Sequence, residues 1–198
     1  LVLATKRGIV KKTALSEYSR PRKGGIIAIN LEDEDQLIGA RITDGTRNIM
    51  ISTKNGLAIR FDEKNARAIG RTSKGVKGIE LKGDDEAVSM LIPDENQKIL
   101  TITENGYGKR TDVEEYRIIG RAGKGVINIQ CSDRNGDVVA VKAVNDADDV
   151  MFISQNGIMI RTPVQGISTI GRNTQGVRLM KLGSDDKVVA SAIIVTDD

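Results

Sequence analysis

Glycine and basic residues recur in this chain at a spacing that could cradle phosphate. The stretch Ile119-Gly-Arg-Ala-Gly-Lys-Gly-Val126 has close copies in IGRTSKGV at Ile69 to Val76 and IGRNTQGV at Ile170 to Val177, with a looser one in SRPRKGGI at Ser19 to Ile26. Three of the four place their glycines as G-x-x-x-x-G, with Arg directly after the first. Backbone N–H groups in such a loop can donate to an anion. A nucleotide-hydrolysing loop also needs Lys and then Ser or Thr after the second glycine, running into a helix. Here that residue is Val76, Val126 or Val177, and a β-type run follows. Nucleotide hydrolysis is not expected of this chain.

Other catalytic chemistry finds little to work with. There is no histidine, and Cys131 is the only cysteine. That excludes a disulfide framework, a Cys/His zinc site and a histidine triad within the chain. Tyr18, Tyr107 and Tyr116 are candidate nucleophiles for cutting DNA. Tyr18 and Tyr116, however, share a repeat column with Ala66 and Ile167, which reads as packing, and Tyr107 adjoins a hairpin glycine. The acidic runs at Asp133 to Asp137 and Asp146 to Asp149 lack the spacing and terminal Glu of a calcium loop. The expectation is no catalytic residue, no metal ligand and no cofactor site. No apolar run approaches the roughly 18 residues of a membrane span, and LVLATKRG lacks a signal peptide's order of basic head and apolar middle. A reduced, cytoplasmic setting fits, without a membrane partner or a small-molecule substrate.

The elements that position the loops are written four times. Gly8, Gly56, Gly106 and Gly157 fall in register, followed by a second glycine column at Gly25, Gly75, Gly125 and Gly176. Apolar columns come next: Ile26/Val76/Val126/Val177, Ile29/Ile79/Ile129/Met180 and Leu31/Leu81/Cys131/Leu182. Asn-Gly pairs at Asn55, Asn105 and Asn156 sit between short apolar runs, a hairpin signal. ILTITENGYGKRT and VMFISQNGIMIRT therefore read as hairpins, and ARITDGTRNIMI and KAVNDADDVMFI as further hairpins joining one repeat to the next. Short helical turns are expected only near Leu15–Ser19 and Val113–Tyr116. Repeats of about 50 residues with some four strands each suit blades around an axis. The expected fold is all-β, a propeller-like disc of four repeats at about 1–47, 48–97, 98–148 and 149–198; a linear solenoid is the alternative.

Charge separates along each repeat. From just before the first glycine to just after the second, the four copies together carry 22 cations and 7 anions, while the remainder carries 8 and 20. The total of +3 hides this segregation. Lys12, Arg60, Arg110 and Arg161 form a column without exception, and Lys11 and Lys109 precede two of them. The loops add Arg20, Arg22 and Lys23; Arg67, Arg71 and Lys74; Arg117, Arg121 and Lys124; and Arg172. Repeated on every blade, such columns form a basic band, the footprint of a polyanion site. The few aromatics form no stacking platform for single strands, so duplex DNA gripped by its phosphates is the expected partner. An acidic protein partner is the other reading. As surface positions, Lys12, Arg60, Arg110 and Arg161 changed together to Glu are expected to spare the fold and remove most of the binding.

The repeats, and especially ENGYGKRT, IGRNTQGV, GIVKKTALSEYSR and GVKGIEL, resemble the C-terminal domain of DNA gyrase A over essentially the whole chain. That resemblance implies a β-pinwheel that binds and bends duplex DNA around a basic rim and supports negative supercoiling. It implies the rest of gyrase A, and gyrase B, as partners, with ATP and magnesium used elsewhere in that assembly, and a nucleoid-associated setting. The related C-terminal domain of topoisomerase IV is the alternative. The family's disc has six blades against four repeats here, which implies a fragment. Its box of the form QRRGGKG is absent; the nearest match is Ser19-Arg-Pro-Arg-Lys-Gly-Gly25.

Overall fold

A computed structural model describes residues 1–195. The first repeat forms β1 (Val2–Thr5), β2 (Ile9–Lys12) and β3 (Leu37–Arg41). The second forms β4 (Asn48–Thr53), β5 (Leu57–Asp62), β6 (Val76–Lys77) and β7 (Ala87–Leu91). The third forms β8 (Lys98–Thr103), β9 (Tyr107–Asp112), β10 (Val126–Ile127) and β11 (Val138–Val144), and the fourth β12 (Asp149–Ser154), β13 (Met159–Pro163), β14 (Val177–Arg178) and β15 (Val188–Ile194). Among the described residues, no helix is long and apolar enough to cross a membrane.

These strands make four small antiparallel sheets, the blades of a propeller-like, all-β fold, ordered β3-β1-β2-β6, β10-β5-β4-β7, β11-β8-β9-β14 and β13-β12-β15. Each of the first three borrows its outermost strand from the following repeat. β6 pairs with β2 through Ile9↔Lys77, β10 with β5 through Leu57↔Ile127, and β14 with β9 through Tyr107↔Arg178. At the other edge the innermost strands pack in series, β3 on β7, β7 on β11 and β11 on β15.

The two middle blades are buried on both faces, which explains aliphatic runs such as NIMIST and KILTIT. Side chains alternate across a strand. Ile49 and Ile51 of β4 therefore enter the core between the first two blades with Val10, Phe61 and Ile79, while Met50 enters the next with Ile99, Tyr116 and Ile129. Leu100 and Ile102 of β8 fill the third seam with Phe152, Val164 and Met180. One apolar core per seam holds the blades in sequence.

The second glycine column allows the outermost strand to close on its blade. Gly125 has φ +77°, and a Cβ there would stand 2.4 Å from the Ala58 carbonyl oxygen. Only a residue without a side chain takes that conformation cheaply and lets the backbones approach so closely.

The expected hairpins β8–β9 and β12–β13 form, in register Thr101↔Lys109 and Met151↔Arg161. ARITDGTRNIMI and KAVNDADDVMFI are not hairpins: β3 and β4 lie in different sheets, as do β11 and β12. Their polar turns carry the chain between blades, because the strands on either side already pair within their own sheets. Short 3-10 turns occur in all four repeats, at Leu15–Tyr18, Glu63–Asn65, Val113–Glu115 and Val164–Gly166. The second and fourth lacked a legible signal. They form because each turn seats an apolar residue under the preceding blade, such as Ala66 and Ile167, both buried.

Candidate nucleic-acid interface

Three of the four members of the invariant cation column face inward. Arg60 and Arg110 are only 4% and 6% exposed, and the Lys12 side chain only 16%. Each reaches across the seam to the 3-10 turn of the next repeat. Lys12 Nζ donates to the Glu63 carbonyl at 2.8 Å and lies 3.4 Å from its carboxylate. Arg60 Nη1 donates to the carbonyls of Val113 and Tyr116 at 3.2 and 3.3 Å, and Nη2 meets Glu95. Arg110 donates through Nε to Ile167 at 2.7 Å and through Nη2 to Gln165 at 3.1 Å, with Nη1 on Asp146. A carbonyl oxygen has two lone pairs, so those of Glu63 and Val113, each already accepting one N–H within its turn, have room for a second donor, and a cation fork can serve two carbonyls at once.

The expectation that Lys12, Arg60, Arg110 and Arg161 are surface positions is therefore corrected for the first three. One sign recurs at one place because the neighbouring carbonyls demand a donor. Only Arg161, on the last blade, is exposed, pairing with Asp149 at 2.6 Å.

Lys11 and Lys109 are likewise fully buried. Lys11 Nζ donates to the carbonyls of Ala28, at 2.7 Å, and Arg71; Lys109 Nζ donates to Thr111 Oγ1 at 2.7 Å and the Gly171 carbonyl at 2.9 Å. Burial pushes Lys109 down to about 8 and lowers Lys11 as well. Neither side chain is presented to a duplex.

The Arg that follows the first loop glycine makes a second clasp, directed backwards. Arg121 Nη1 donates to the Lys77 carbonyl and Nε to that of Asn65, both at 2.9 Å; Arg172 Nη1 donates to Ile127 at 2.6 Å; Arg71 Nη1 donates to Ile27. These three remain half-exposed at the blade edge.

The remaining expected cations are solvent-facing: Arg20, Arg22, Lys23, Arg67, Lys74 and Lys124, together with Arg117. Lys74 lies 3.3 Å from Glu32. The fold sets Lys74 and Lys124 beside the outermost strands, where Lys124 and Arg172 border a groove with Leu57, Val126 and Ile127. Lys77 and Arg178, exposed on β6 and β14, belong to the same edge. Their column also holds Ile27 and Ile127, which hid them among apolar positions; their place two residues after the second glycine was the available signal. The basic band thus lies on the outer strands and glycine loops, one element outward of the column first singled out.

The tyrosines are packing residues in part. Tyr116 is buried and donates its hydroxyl to Asn128 Oδ1 at 2.6 Å, and burial pushes its pKa well up. Tyr18 donates to the Ala28 carbonyl at 3.1 Å. Tyr107 lies at the outer edge, accepting from Arg178.

Comparison with known proteins bears on this arrangement. A family model described as the DNA gyrase C-terminal domain, beta-propeller, matches residues 1–44, 47–94, 97–145 and 148–194. The chain is 52% identical to the DNA gyrase A protein of Clostridium acetobutylicum over 198 residues, covering 100% of this chain and 24% of that protein. The corresponding gyrase A protein of Halalkalibacterium halodurans is 54% identical over the same span, again 24% of its length. Among solved structures, the C-terminal domain of DNA topoisomerase IV superposes with a TM-score of 0.91 at 27% identity, covering 97% of this chain and 60% of that one. A DNA gyrase A C-terminal domain gives 0.87 at 27% identity, covering 98% and 65%.

Proposed function

The chain belongs to the DNA gyrase C-terminal domain family, and we propose that it binds and bends duplex DNA around the outer edge of its blades as the wrapping part of a type IIA topoisomerase. The observation that carries this reading is the exposed basic band on the glycine loops and outer strands: Arg67, Lys77, Arg117, Lys124 and Arg178 face solvent on successive repeats. A duplex following that edge meets new cations at each blade. Smooth bending of 20–30 base pairs by 40–90° costs on the order of 1–6 kcal/mol, and phosphate neutralisation with counterion release offsets it. Contacts of this kind carry little sequence information. The reading assigns no chemical step, cofactor or metal to this chain.

The chain spans 24% of the length of the relatives above. Negative supercoiling, its ATP and magnesium requirement, and partnership with the rest of gyrase A and with gyrase B belong to this proposal, as do a cytoplasmic, nucleoid-associated setting and the repeat boundaries given above. Identities above 50% to gyrase A proteins favour gyrase over topoisomerase IV.

Fluorescence anisotropy with a short duplex across a salt series tests the reading. With about eight phosphates neutralised, log K falls against log salt with a slope near −7. An affinity indifferent to salt overturns it. An acidic polypeptide that stays bound in the presence of excess duplex DNA would favour the protein-partner reading instead.

A further inference from the structure

The repeat departs from its own pattern at positions that the fold brings together on the third blade. The residue after the first glycine is aliphatic at Ile9, Leu57 and Ile158 but aromatic at Tyr107. The turn leading to the innermost strand carries Glu34, Asp84 and Asp185 in three repeats and Arg134 in the third. That turn is also one residue longer there: seven positions separate Cys131 from Val138, against six from Leu81 to Ala87. The borrowed outer strand supplies Arg178, in register with Tyr107.

Their side chains meet. Arg178 Nη2 donates to the Tyr107 hydroxyl at 2.9 Å, and its guanidinium carbon lies 5.5 Å from the ring centroid. The Arg134 guanidinium carbon lies 4.8 Å from the same centroid. Together with Lys181 they border a cavity of about 470 Å³. Among the described residues, the ion pairs include no carboxylate partner for Arg134, Arg178 or Lys181, whereas Lys187 on the same cavity is paired with Glu104 at 2.7 Å. Two guanidinium groups are thus pre-oriented on an aromatic ring with donors left over, a geometry suited to forked recognition of a phosphate. The Tyr107 hydroxyl, already accepting from Arg178, keeps its own proton to donate. The two arginines hold its pKa below the ordinary value, which makes it the better donor. Asp185 and Asp186 also line the cavity, so a singly charged phosphodiester fits better than a doubly charged phosphate.

We propose that Arg134, Tyr107 and Arg178 form an anchor for one backbone phosphodiester of the duplex, pinning the DNA path at the third blade. This rests on the duplex-binding reading above.

The test compares two double variants of the full chain with equal loss of charge, Arg134→Gln with Arg178→Gln and Arg67→Gln with Arg117→Gln, both checked for unchanged melting. The anchor variant should lose about tenfold more duplex affinity than the comparator. Dimethyl phosphate should shift the Arg134 and Arg178 Nε–H NMR resonances more than inorganic phosphate does, and Tyr107→Phe should weaken that response. Equal losses in the two double variants, or unmoved resonances, overturn the anchor. If the wild type fails to bind duplex DNA while dimethyl phosphate still shifts the resonances, the duplex reading falls and the DNA anchor with it, but a phosphodiester site remains.

Discussion

Arg110 donates its Nε–H to the carbonyl of Ile167 at 2.7 Å, across the seam between the third and fourth blades. The two residues are 57 apart in sequence and belong to different repeats. The same link runs from Lys12 to Glu63 and from Arg60 to Tyr116. With the backward clasps of Arg71, Arg121 and Arg172, it ties each repeat to the one beside it at two places. What repeats in this chain is therefore the joint as much as the blade.

Removing that joint should cost stability in proportion to burial. Hydrogen bonds to a charged group contribute about 1.5–3 kcal/mol each, so Arg110→Ala should lose on the order of 2–4 kcal/mol. Arg161→Ala, which gives up one exposed ion pair, should change stability by less than about 1 kcal/mol. Urea midpoints of the two variants check this; equal losses would deny the clasp its role.

Charge reversal should now sort by direction rather than by column. Changing Lys12, Arg60, Arg110 and Arg161 together to Glu should prevent folding, because buried acids would face carbonyl oxygens. Changing Arg67, Lys77, Arg117 and Lys124 to Glu should leave the β-sheet circular dichroism intact and abolish duplex binding. A folded first quartet, or full binding by the second, would return the interface to the inner column.

The glycines of the opening loop should differ sharply. Gly125→Ala forces a left-handed residue, worth about 1–3 kcal/mol of strain, and drives Cβ against the Ala58 carbonyl. Gly120→Ala meets open space and should be nearly silent. Thermal melts distinguish them; equal melting temperatures would mean the outer strand detaches freely.

Lys109 should leave a signature in pH. Its folded pKa is about 8, against 10.5 unperturbed, mainly through desolvation. Between those values the unfolded chain holds a proton that the folded chain has released, so this residue's contribution to stability rises with pH over that window. Below about pH 8 both states are protonated and the contribution stays at its lowest. Relative to Lys109→Met, the wild type should gain stability from pH 8 to 10 in urea titrations, and a constant difference would refute the shift.

The period, the hairpins built on Asn-Gly turns, the glycine columns and the separation of charge into two bands are legible in the chain alone. Each is local: an Asn-Gly turn, an alternating strand or a run of like charges is written within a few residues. Even Tyr116 could be placed as packing, because its column partners Ala66 and Ile167 are apolar.

Which cations face the solvent is settled by the packing of one repeat on the next. Arg60 and Arg67 look equally basic in the chain, but one meets the carbonyls of Val113 and Tyr116 and the other meets water. Every residue carries a backbone carbonyl, so nothing in the sequence marks those that accept a second donor from a repeat some 50 positions away. The lending of outer strands was hidden for the same reason: pairing of β14 with β9 depends on backbone groups, not on side-chain identity. That pairing sets Arg178 against Tyr107 and makes the third blade unlike the others.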